Sequence, residues 1–240
     1  MFEAKQLTKI YQDRPALDGL NLQIAPGEIF CLLGQNGAGK TTTINLFLGF
    51  LRPTSGEAYI NGLLVKPDDL DFRQYIAYIP EVVMLYPQLT GTENLDFFSK
   101  VAGFRYSKKK LHALLEMVGL QDTFFSKRVG TYSKGMRQKV GIAIALAKDA
   151  RCILMDEPTS GLDPKASHEF SALVRQLGAE GRAVLMATHD VFNAVEMATR
   201  LGIMRQGKLV HTLEAVNISA RELQALYMES SVDPDERRMP

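Results

Sequence analysis

The spacing of hydrophobic residues in the first quarter of the chain is typical of β-strands. Leu20, Leu22 and Ile24 alternate with polar residues, as in a strand with one buried face. The Asn61-Gly62 pair between two apolar triplets is typical of the tight turn of a β-hairpin. The sequence therefore predicts an antiparallel sheet in this region.

A second pattern, in which short apolar strands alternate with helices, begins inside this region and returns late in the chain. The apolar run 28–33 leads through a glycine-rich loop into a helical stretch at 41–50. The runs 152–155 and 183–187 are two further predicted strands, separated by a helical stretch at 165–177. Strands that alternate with helices favour parallel pairing in a layered α/β fold.

The interval from about Thr90 to Lys148 is predicted to be a helical insertion between these strands. Leucines recur at helical spacing between positions 111 and 118, before a break at Gly119. Another helix is expected to start near Ser133.

Composition and charge argue against several classes of protein. The 240 residues include 28 basic and 27 acidic side chains, so no overall field attracts nucleic acid, and no nucleic-acid partner is expected. The longest apolar stretch, about Val140 to Ala147, is far shorter than the roughly 20 residues of a spanning helix. The N-terminus lacks the pattern of a secretory signal. Cys31 and Cys152 lie in apolar runs, which favours buried, reduced thiols and a cytosolic setting.

The glycine-rich loop matches the pattern G-x-x-x-x-G-K-[ST] without a gap. Its glycines let backbone N–H groups point at a polyphosphate, Lys40 supplies a positive charge, and the Thr41 hydroxyl suits Mg²⁺. An ordinary glycine turn is the alternative, but the required strand and helix flank the loop. A nucleoside triphosphate with Mg²⁺ is the expected ligand. The predicted loop consists of Gly34, Gln35, Asn36, Gly37, Ala38, Gly39, Lys40 and Thr41, followed by Thr42.

Two carboxylates follow a later apolar strand, where ligands of open α/β folds bind. Asp156 is predicted to contribute to the Mg²⁺ shell, and Glu157 to act as the general base on an attacking water. Without the phosphate loop, an exposed acidic turn would be the better interpretation. His189 ends a third strand, and we expect it to contact the γ-phosphate, although a single histidine is usually just a polar loop residue.

The predicted helix at Ser133 carries three cations in its first turns, although a helix N-terminus prefers negative charge. Ser133 as N-cap, the free N–H groups and Gly135 together would form an anion site. The alternative is a solvated basic face.

Taken together, these motifs make the chain resemble the nucleotide-binding subunits of ABC transporters from about Phe2 to His211. The resemblance rests on the order and spacing of the phosphate loop and of the segments 78–81, 132–136, 156–159, 160–163 and His189. It implies an α/β fold with a P-loop NTPase core, an antiparallel β subdomain and an α-helical insertion. It also implies a single cassette at 1–228, with the core at 1–89 and 149–228 and the helical subdomain at 90–148. The charged composition after Met228 separately predicts a disordered tail at 229–240.

The resemblance further implies that two cassettes face head to tail and close on two ATP molecules. Ser133 and Gly135 of one copy would cover the γ-phosphate held by the other, and Asp163 would link the two sites. Tyr11 matches the aromatic residue that stacks on adenine. Closure would pull on a transmembrane permease subunit through the groove near Glu81 and the helical insertion, which implies a peripheral location on the cytoplasmic side of the cell membrane.

Two positions depart from the usual family pattern. Glu81 replaces the usual glutamine; as a metal ligand it would join Thr41 and Asp156, but it adds negative charge and has no amide donor. The usual Leu-Ser-Gly-Gly-Gln signature is Tyr-Ser-Lys-Gly-Met at 132–136. Both changes resemble the branch whose partners are exporters.

Alternative functions within and beyond this family make different demands on the sequence. ABC ATPases that act on ribosomes resemble two cassettes in one chain, whereas this chain has one. Those that act on DNA carry a long coiled coil between the phosphate loop and the signature, and the roughly ninety residues in that interval here are too few for one. A P-loop kinase or GTPase does not explain the signature helix. A sugar-importer cassette usually resembles this chain followed by an extra β domain, whereas only about thirty residues follow His211 here. An exporter subunit is therefore the favoured prediction.

Overall fold

The computed structural model describes residues 1–231, which form two β-sheets and eight α-helices. The strands are β1 (Phe2–Tyr11), β2 (Arg14–Ile24), β3 (Ile29–Leu33), β4 (Ser55–Ile60), β5 (Leu63–Leu64), β6 (Ile76–Ile79), β7 (Cys152–Asp156), β8 (Ala183–Thr188), β9 (Arg200–Arg205) and β10 (Lys208–Glu214). The α-helices are α1 (Lys40–Phe47), α2 (Gly91–Val101), α3 (Lys108–Met117), α4 (Asp122–Phe125), α5 (Lys134–Ala147), α6 (Pro164–Ala179), α7 (Val191–Met197) and α8 (Ala220–Ser231).

The first sheet is antiparallel, with strand order β2-β1-β4-β5, as predicted. The hairpin between β4 and β5 turns at Asn61 and Gly62, whose φ angles of 51° and 82° are both positive. Two consecutive positive φ angles are the requirement of the type I′ turn, whose twist matches that of the flanking strands. The predicted hairpin is therefore confirmed.

The second sheet has strand order β10-β9-β3-β8-β7-β6 and is parallel except for the edge strand β10. Its central strands read as continuous apolar runs because both faces of the sheet are covered. In β3, Phe30 and Leu32 face α1 and the first sheet, whereas Cys31 and Leu33 face the opposite core with α5 and α6. The predicted α/β fold with a mostly parallel core is confirmed.

Both cysteines are free and buried, as the sequence predicts. Burial raises the pKa of the Cys31 thiol to about 12, and burial also raises the pKa of the Cys152 thiol. Because the thiolate is the reactive form, both side chains act as small apolar core residues.

Four helices, α2 to α5, occupy the interval predicted to be a helical insertion. Thr90 and Glu93 form a capping box at the start of α2, in which each side chain binds the other residue's backbone N–H. The Ser133 hydroxyl accepts from Met136 N at 3.3 Å and thereby caps α5. The predicted N-cap is confirmed, and it fixes the direction in which α5 leaves the preceding loop.

The ends of two helices differ from the predicted boundaries. Helix α1 ends at Phe47 rather than at position 50, because Gly49 with φ 69° takes the left-handed conformation that terminates helices. Helix α8 continues through 229–231, which the sequence assigned to a disordered tail. The rest of that predicted tail, 232–240, lies outside the described residues.

Candidate nucleotide-binding site

A polar cleft of ≈ 390 Å³ lies at the carboxyl ends of the central strands of the parallel sheet. Open α/β sheets bind their ligands at this edge, where the loops after the strands converge. The cleft brings together most of the predicted phosphate loop and three of the four predicted acidic residues. Its lining consists of Ala16, Gln35, Asn36, Gly37, Gly39, Lys40, Thr41, Thr42, Glu81, Asp156 and Glu157.

The phosphate loop depends on glycine for its shape. Gly37 and Gly39 have φ angles of 83° and 109°, which other residues rarely adopt. A Cβ added at Gly39 would lie 2.4 Å from the carbonyl oxygen of Ala16. Gly34 and Ala38, which do not line the cleft, pack against one another, and a Cβ on Gly34 would come within 2.9 Å of the Ala38 Cβ. The loop therefore curls tightly and leads directly into the N-terminus of α1.

Lys40 is 6% exposed and folds its ammonium back onto this loop. Its Nζ donates to the carbonyls of Gly34 at 2.6 Å and Gln35 at 3.3 Å, and lies 3.8 Å from Glu157 Oε1. Burial lowers the pKa of Lys40, while the charges of Glu157 and Asp156 act in the opposite direction. A buried cation beside a loop of N–H groups is an environment that favours a polyanion.

Asp156 ends β7 beside the first turn of α1. The Thr41 hydroxyl lies 3.4 Å from Asp156 Oδ2 and donates to it. Burial, the charge of Glu157 and, to a smaller extent, that of Glu81 raise the pKa of Asp156, while Lys40 and Thr41 oppose the shift. Crowded, partly desolvated carboxylates of this kind are stabilised by a bound cation.

Glu157 takes a left-handed backbone conformation, with φ 44°, immediately after β7. Its Oε2 accepts from the Thr188 hydroxyl at 3.1 Å and from the His189 N–H at 3.3 Å. Its Oε1 lies 2.9 Å from His189 Nδ1. Non-glycine residues in this conformation are strained by about 1–2 kcal/mol, and such strain concentrates at functional sites. The strained turn places the two predicted catalytic side chains in contact.

Glu81 lines the cleft from the loop that follows β6. Its Oε1 accepts from the Ser160 hydroxyl at 2.8 Å and lies 3.6 Å from Lys134 Nζ. Below it, Gln138 of α5 donates its side-chain amide to the carbonyls of Pro80 at 3.3 Å and Glu81 at 3.1 Å. The first turns of α5 are thus attached to the loop that carries Glu81.

The remaining predicted binding residues lie outside the lining of this cleft. Ser133 is exposed, and Gly135 packs close to Ala166 of α6, where an added Cβ would be 3.3 Å from the Ala166 Cβ. Asp163 is exposed and caps α6 by accepting from the Ala166 N–H at 2.9 Å. Tyr11 is 45% exposed at the end of β1. One copy of the chain therefore does not gather all of the predicted residues around one cleft.

Three residues near the cleft were not predicted from the sequence. Thr188 and Ser160 hold the carboxylates of Glu157 and Glu81, and Gln138 is fully buried. Gln138 is a polar residue at an inward-facing position of a largely apolar helix. That pattern was a usable signal, because a buried polar side chain requires a hydrogen-bond partner.

A family model described as "ABC transporter" matches residues 17–160. The bacitracin transport ATP-binding protein BcrA of Bacillus licheniformis is 34% identical, over 96% of this chain and 75% of its own length. The linearmycin resistance ATP-binding protein LnrL of Bacillus subtilis is also 34% identical, over 88% of this chain and 68% of its own. The two alignments extend well beyond the motifs and include the helical insertion.

Two solved structures have a closely similar fold. One, described as an ATP-binding subunit of an ABC transporter, is 30% identical and superposes with a TM-score of 0.83 over 97% of this chain and 100% of its own. The other is a dimeric, post-hydrolysis state of the ATP-binding cassette MJ0796 bound to ADP and Pi. It is 28% identical and superposes with a TM-score of 0.78 over 90% of this chain and 99% of its own.

Proposed function

This chain belongs to the ABC transporter family as an ATP-hydrolysing subunit, and on that premise we propose that two copies close head to tail on two ATP molecules and drive a separate permease. The observation that carries the proposal is the convergence of Lys40, Asp156 and Glu157 in one cleft while Ser133, at the tip of α5, stays exposed outside it. The cleft supplies one half of a catalytic site, and the tip of α5 supplies the covering half for another copy.

In this proposal the cleft binds the triphosphate and activates water. The N–H groups of the phosphate loop and the Lys40 ammonium bind the β- and γ-phosphates. Glu157 orients a water molecule and accepts its proton as the γ-phosphate is attacked. His189, whose Nδ1 lies 2.9 Å from Glu157 Oε1, positions that carboxylate and donates to the γ-phosphate.

The donor set near the phosphate loop fits Mg²⁺. Thr41, Asp156 and Glu81 offer hydroxyl and carboxylate oxygens, the ligands that Mg²⁺ prefers. Among residues 1–231 no group of three or more His, Cys, Asp or Glu side chains is arranged to hold a metal. A site with so few protein ligands needs phosphate oxygens to complete it, as Mg²⁺ sites in nucleotide-binding proteins do. When bound, Mg²⁺ would neutralise part of the negative charge of the phosphates.

The exposed tip of α5 argues for a second copy. Ser133 caps the helix and is exposed, so the positive end of the helix dipole lies at the protein surface, with Gly135 in the first turn of the helix. No acidic residue occupies the first turn of α5 to balance that charge within the helix. We assign Ser133 and Gly135 to the γ-phosphate bound by the partner copy, Asp163 to the interface, and Tyr11 to the adenine ring.

The surface next to Glu81 is suited to a permease. The alternate positions after Glu81 carry three exposed side chains, Val82, Met84 and Tyr86. The Tyr86 ring packs edge-on against Phe97 of α2 with 4.9 Å between centroids. Among the described residues no helix is long and apolar enough to span a bilayer. We therefore propose that an apolar segment of a membrane-embedded subunit docks here, with the cassette on the cytoplasmic side of the cell membrane.

Export is the direction we propose for transport. Relatives that align with most of this chain are named for bacitracin transport, for linearmycin resistance and, in Burkholderia pseudomallei, for Nod factor export. A multidrug relative in Escherichia coli is 37% identical over 88% of this chain, which spans about a third of that protein. One of these names states export and another states resistance to a compound, and both favour export as the direction.

The Glu157→Gln variant tests the proposed mechanism. The amide cannot accept the proton of the attacking water, so turnover should fall by at least about 100-fold while ATP still binds. Gel filtration with ATP and Mg²⁺ should then show a stable dimer. Glu116→Gln, at an exposed position of α3, is the matched control and should behave as the wild type. A Glu157→Gln protein that stays monomeric with bound ATP would refute the shared-site mechanism.

A further inference from the structure

Lys134 and Glu81 form an ion pair across the boundary between the helical insertion and the nucleotide cleft. Lys134 is the first residue of α5, and its Nζ lies 3.6 Å from Glu81 Oε1. The same oxygen accepts from the Ser160 hydroxyl at 2.8 Å, so the carboxylate is held in place from a second side. Both charged side chains are partly exposed, at 32% for Lys134 and 52% for Glu81.

The charge of Lys134 is unfavourable where it stands unless something balances it. A lysine in the first turn of a helix is repelled by the positive end of the helix dipole. The other partner, Glu81, adds a third negative charge beside the two carboxylates Asp156 and Glu157 in the cleft. That charge helps to raise the pKa of Asp156. The ion pair relieves both problems at once, because each side chain neutralises the other.

The carboxylate of Glu81 also faces the cleft that we propose binds Mg–ATP. A divalent cation attracts a carboxylate more strongly than a partly hydrated ammonium does, since its charge is twice as large. Binding of Mg²⁺ near Asp156 therefore competes with Lys134 for Glu81. Gln138 is unaffected by this competition, because it binds the carbonyls of Pro80 and Glu81 rather than a carboxylate.

We propose that the Lys134–Glu81 pair is a latch that holds the Lys134 side chain against the Glu81 loop of its own chain until Mg–ATP binds. Opening the latch turns Glu81 to the metal and releases the Lys134 side chain, which then contacts the γ-phosphate in the partner copy. This inference rests on the proposed function, and in the resting cassette it makes Lys134 a positioning residue. The backbone contacts of Gln138 stay in place, so the side chain is freed without detaching α5.

Two measurements on Lys134→Ala should change in opposite directions. Without the latch, the monomer should bind a fluorescent, non-hydrolysable ATP analogue with Mg²⁺ more tightly, by between about 1.5-fold and fivefold, as expected for an exposed ion pair. Dimer formation, followed by light scattering, should become weaker because the partner's γ-phosphate loses a cation. A purely structural role of Lys134 would weaken both steps.

A double-mutant cycle separates the latch from other effects. In a Glu81→Gln background, Lys134→Ala should leave the affinity of the monomer unchanged, because no ion pair remains to be opened. With EDTA in place of Mg²⁺, the single variant should also bind like the wild type. Lys139→Ala with Glu169→Gln removes another ion pair of α5, at 2.7 Å and outside the cleft, and should not tighten binding.

These experiments distinguish failure of the latch from failure of the proposed function. The latch would be overturned if Lys134→Ala changed the nucleotide affinity of the monomer equally in the wild-type and Glu81→Gln backgrounds. It would also be overturned if Lys134→Ala left that affinity unchanged or weakened it. Unimpaired dimer formation by Lys134→Ala would overturn the release of Lys134 to the partner. A wild-type chain that binds no nucleotide would instead refute the proposed function itself.

Discussion

The carboxylate of Glu157 lies 2.9 Å from Nδ1 of His189, at the ends of two adjacent parallel strands. Parallel pairing of β7 with β8 places the residues after both strands at one edge of the sheet, although 32 positions separate them in the sequence. The strained backbone at Glu157 and the hydroxyl of Thr188 then fix the carboxylate. A general base held from several sides needs little reorganisation before it accepts a proton.

His189→Ala should lower the rate of ATP hydrolysis by about 100-fold, because it removes both the contact that positions Glu157 and a donor to the γ-phosphate. Affinity for ATP should change little, since the phosphate loop is untouched. Phosphate release under saturating ATP measures the first effect and nucleotide titration the second. His168→Ala is the matched control: its Nδ1 also lies 2.9 Å from a glutamate, Glu196, but that glutamate, unlike Glu157, does not line the phosphate cleft. Full activity of His189→Ala would contradict the assigned role.

Asp156→Asn should increase stability near neutral pH in the absence of nucleotide. Burial and neighbouring charges raise the pKa of Asp156 above its ordinary value of 3.8, so the folded state disfavours the carboxylate. An acid whose pKa is raised on folding reduces stability above that pKa, and the penalty disappears once the pH falls below the unfolded value. The gain of Asp156→Asn should therefore be largest near pH 7 and vanish below about pH 4. Urea unfolding across this range is the measurement, and a gain that grows toward acid pH would have the wrong sign.

Gly39→Ala should destabilise the fold and abolish nucleotide binding. The φ of 109° disfavours alanine, and the new Cβ would be 2.4 Å from the Ala16 carbonyl oxygen. Together these effects should cost about 3 kcal/mol of unfolding free energy. Gly103→Ala isolates the backbone effect, because Gly103 has a φ of 90° and nothing within 4 Å of an added Cβ; it should cost about 1 kcal/mol. Equal losses for the two variants would exclude the close contact as a cause.

Tyr11→Ala should weaken ATP binding about tenfold, the magnitude expected for loss of one aromatic–base stack. Tyr11→Phe retains the ring and should bind normally. One face of the ring is approached by the Lys9 ammonium, 5.2 Å from the ring centroid, which leaves the other face for a base. Inorganic triphosphate should bind both variants and the wild type equally well. If Tyr11→Ala weakened binding of triphosphate too, stacking on the base would not be the explanation.

Features that depend on local sequence were predictable. The Asn61-Gly62 turn, the Ser133 cap and the curled phosphate loop each follow from the conformational preferences of a few adjacent residues. The early end of α1 was also encoded locally, because Gly49 is a C-terminal helix signal that the predicted boundary at position 50 passed over.

Contacts between distant segments were not predictable in the same way. The hydroxyl of Ser160 binds Glu81 across 79 positions, and Lys134 reaches the same carboxylate from a third segment. The sequence did not predict strand β10, because it is an edge strand whose side chains are all exposed or half-buried, so its hydrophobic pattern is weak. Such features depend on how whole elements pack, which the spacing of residues along the chain does not specify.

The hydrogen bonds from Gln138 to Pro80 and Glu81 have a mechanical consequence. They join the loop after β6 to the first turns of α5, so we expect the two to move together, and the exposed Val82 is the next residue of that loop. A shift of α5 therefore displaces the apolar surface beside it by a similar distance, with no intervening flexible joint. Replacing this amide with an apolar side chain would leave both surfaces intact but uncouple their displacements.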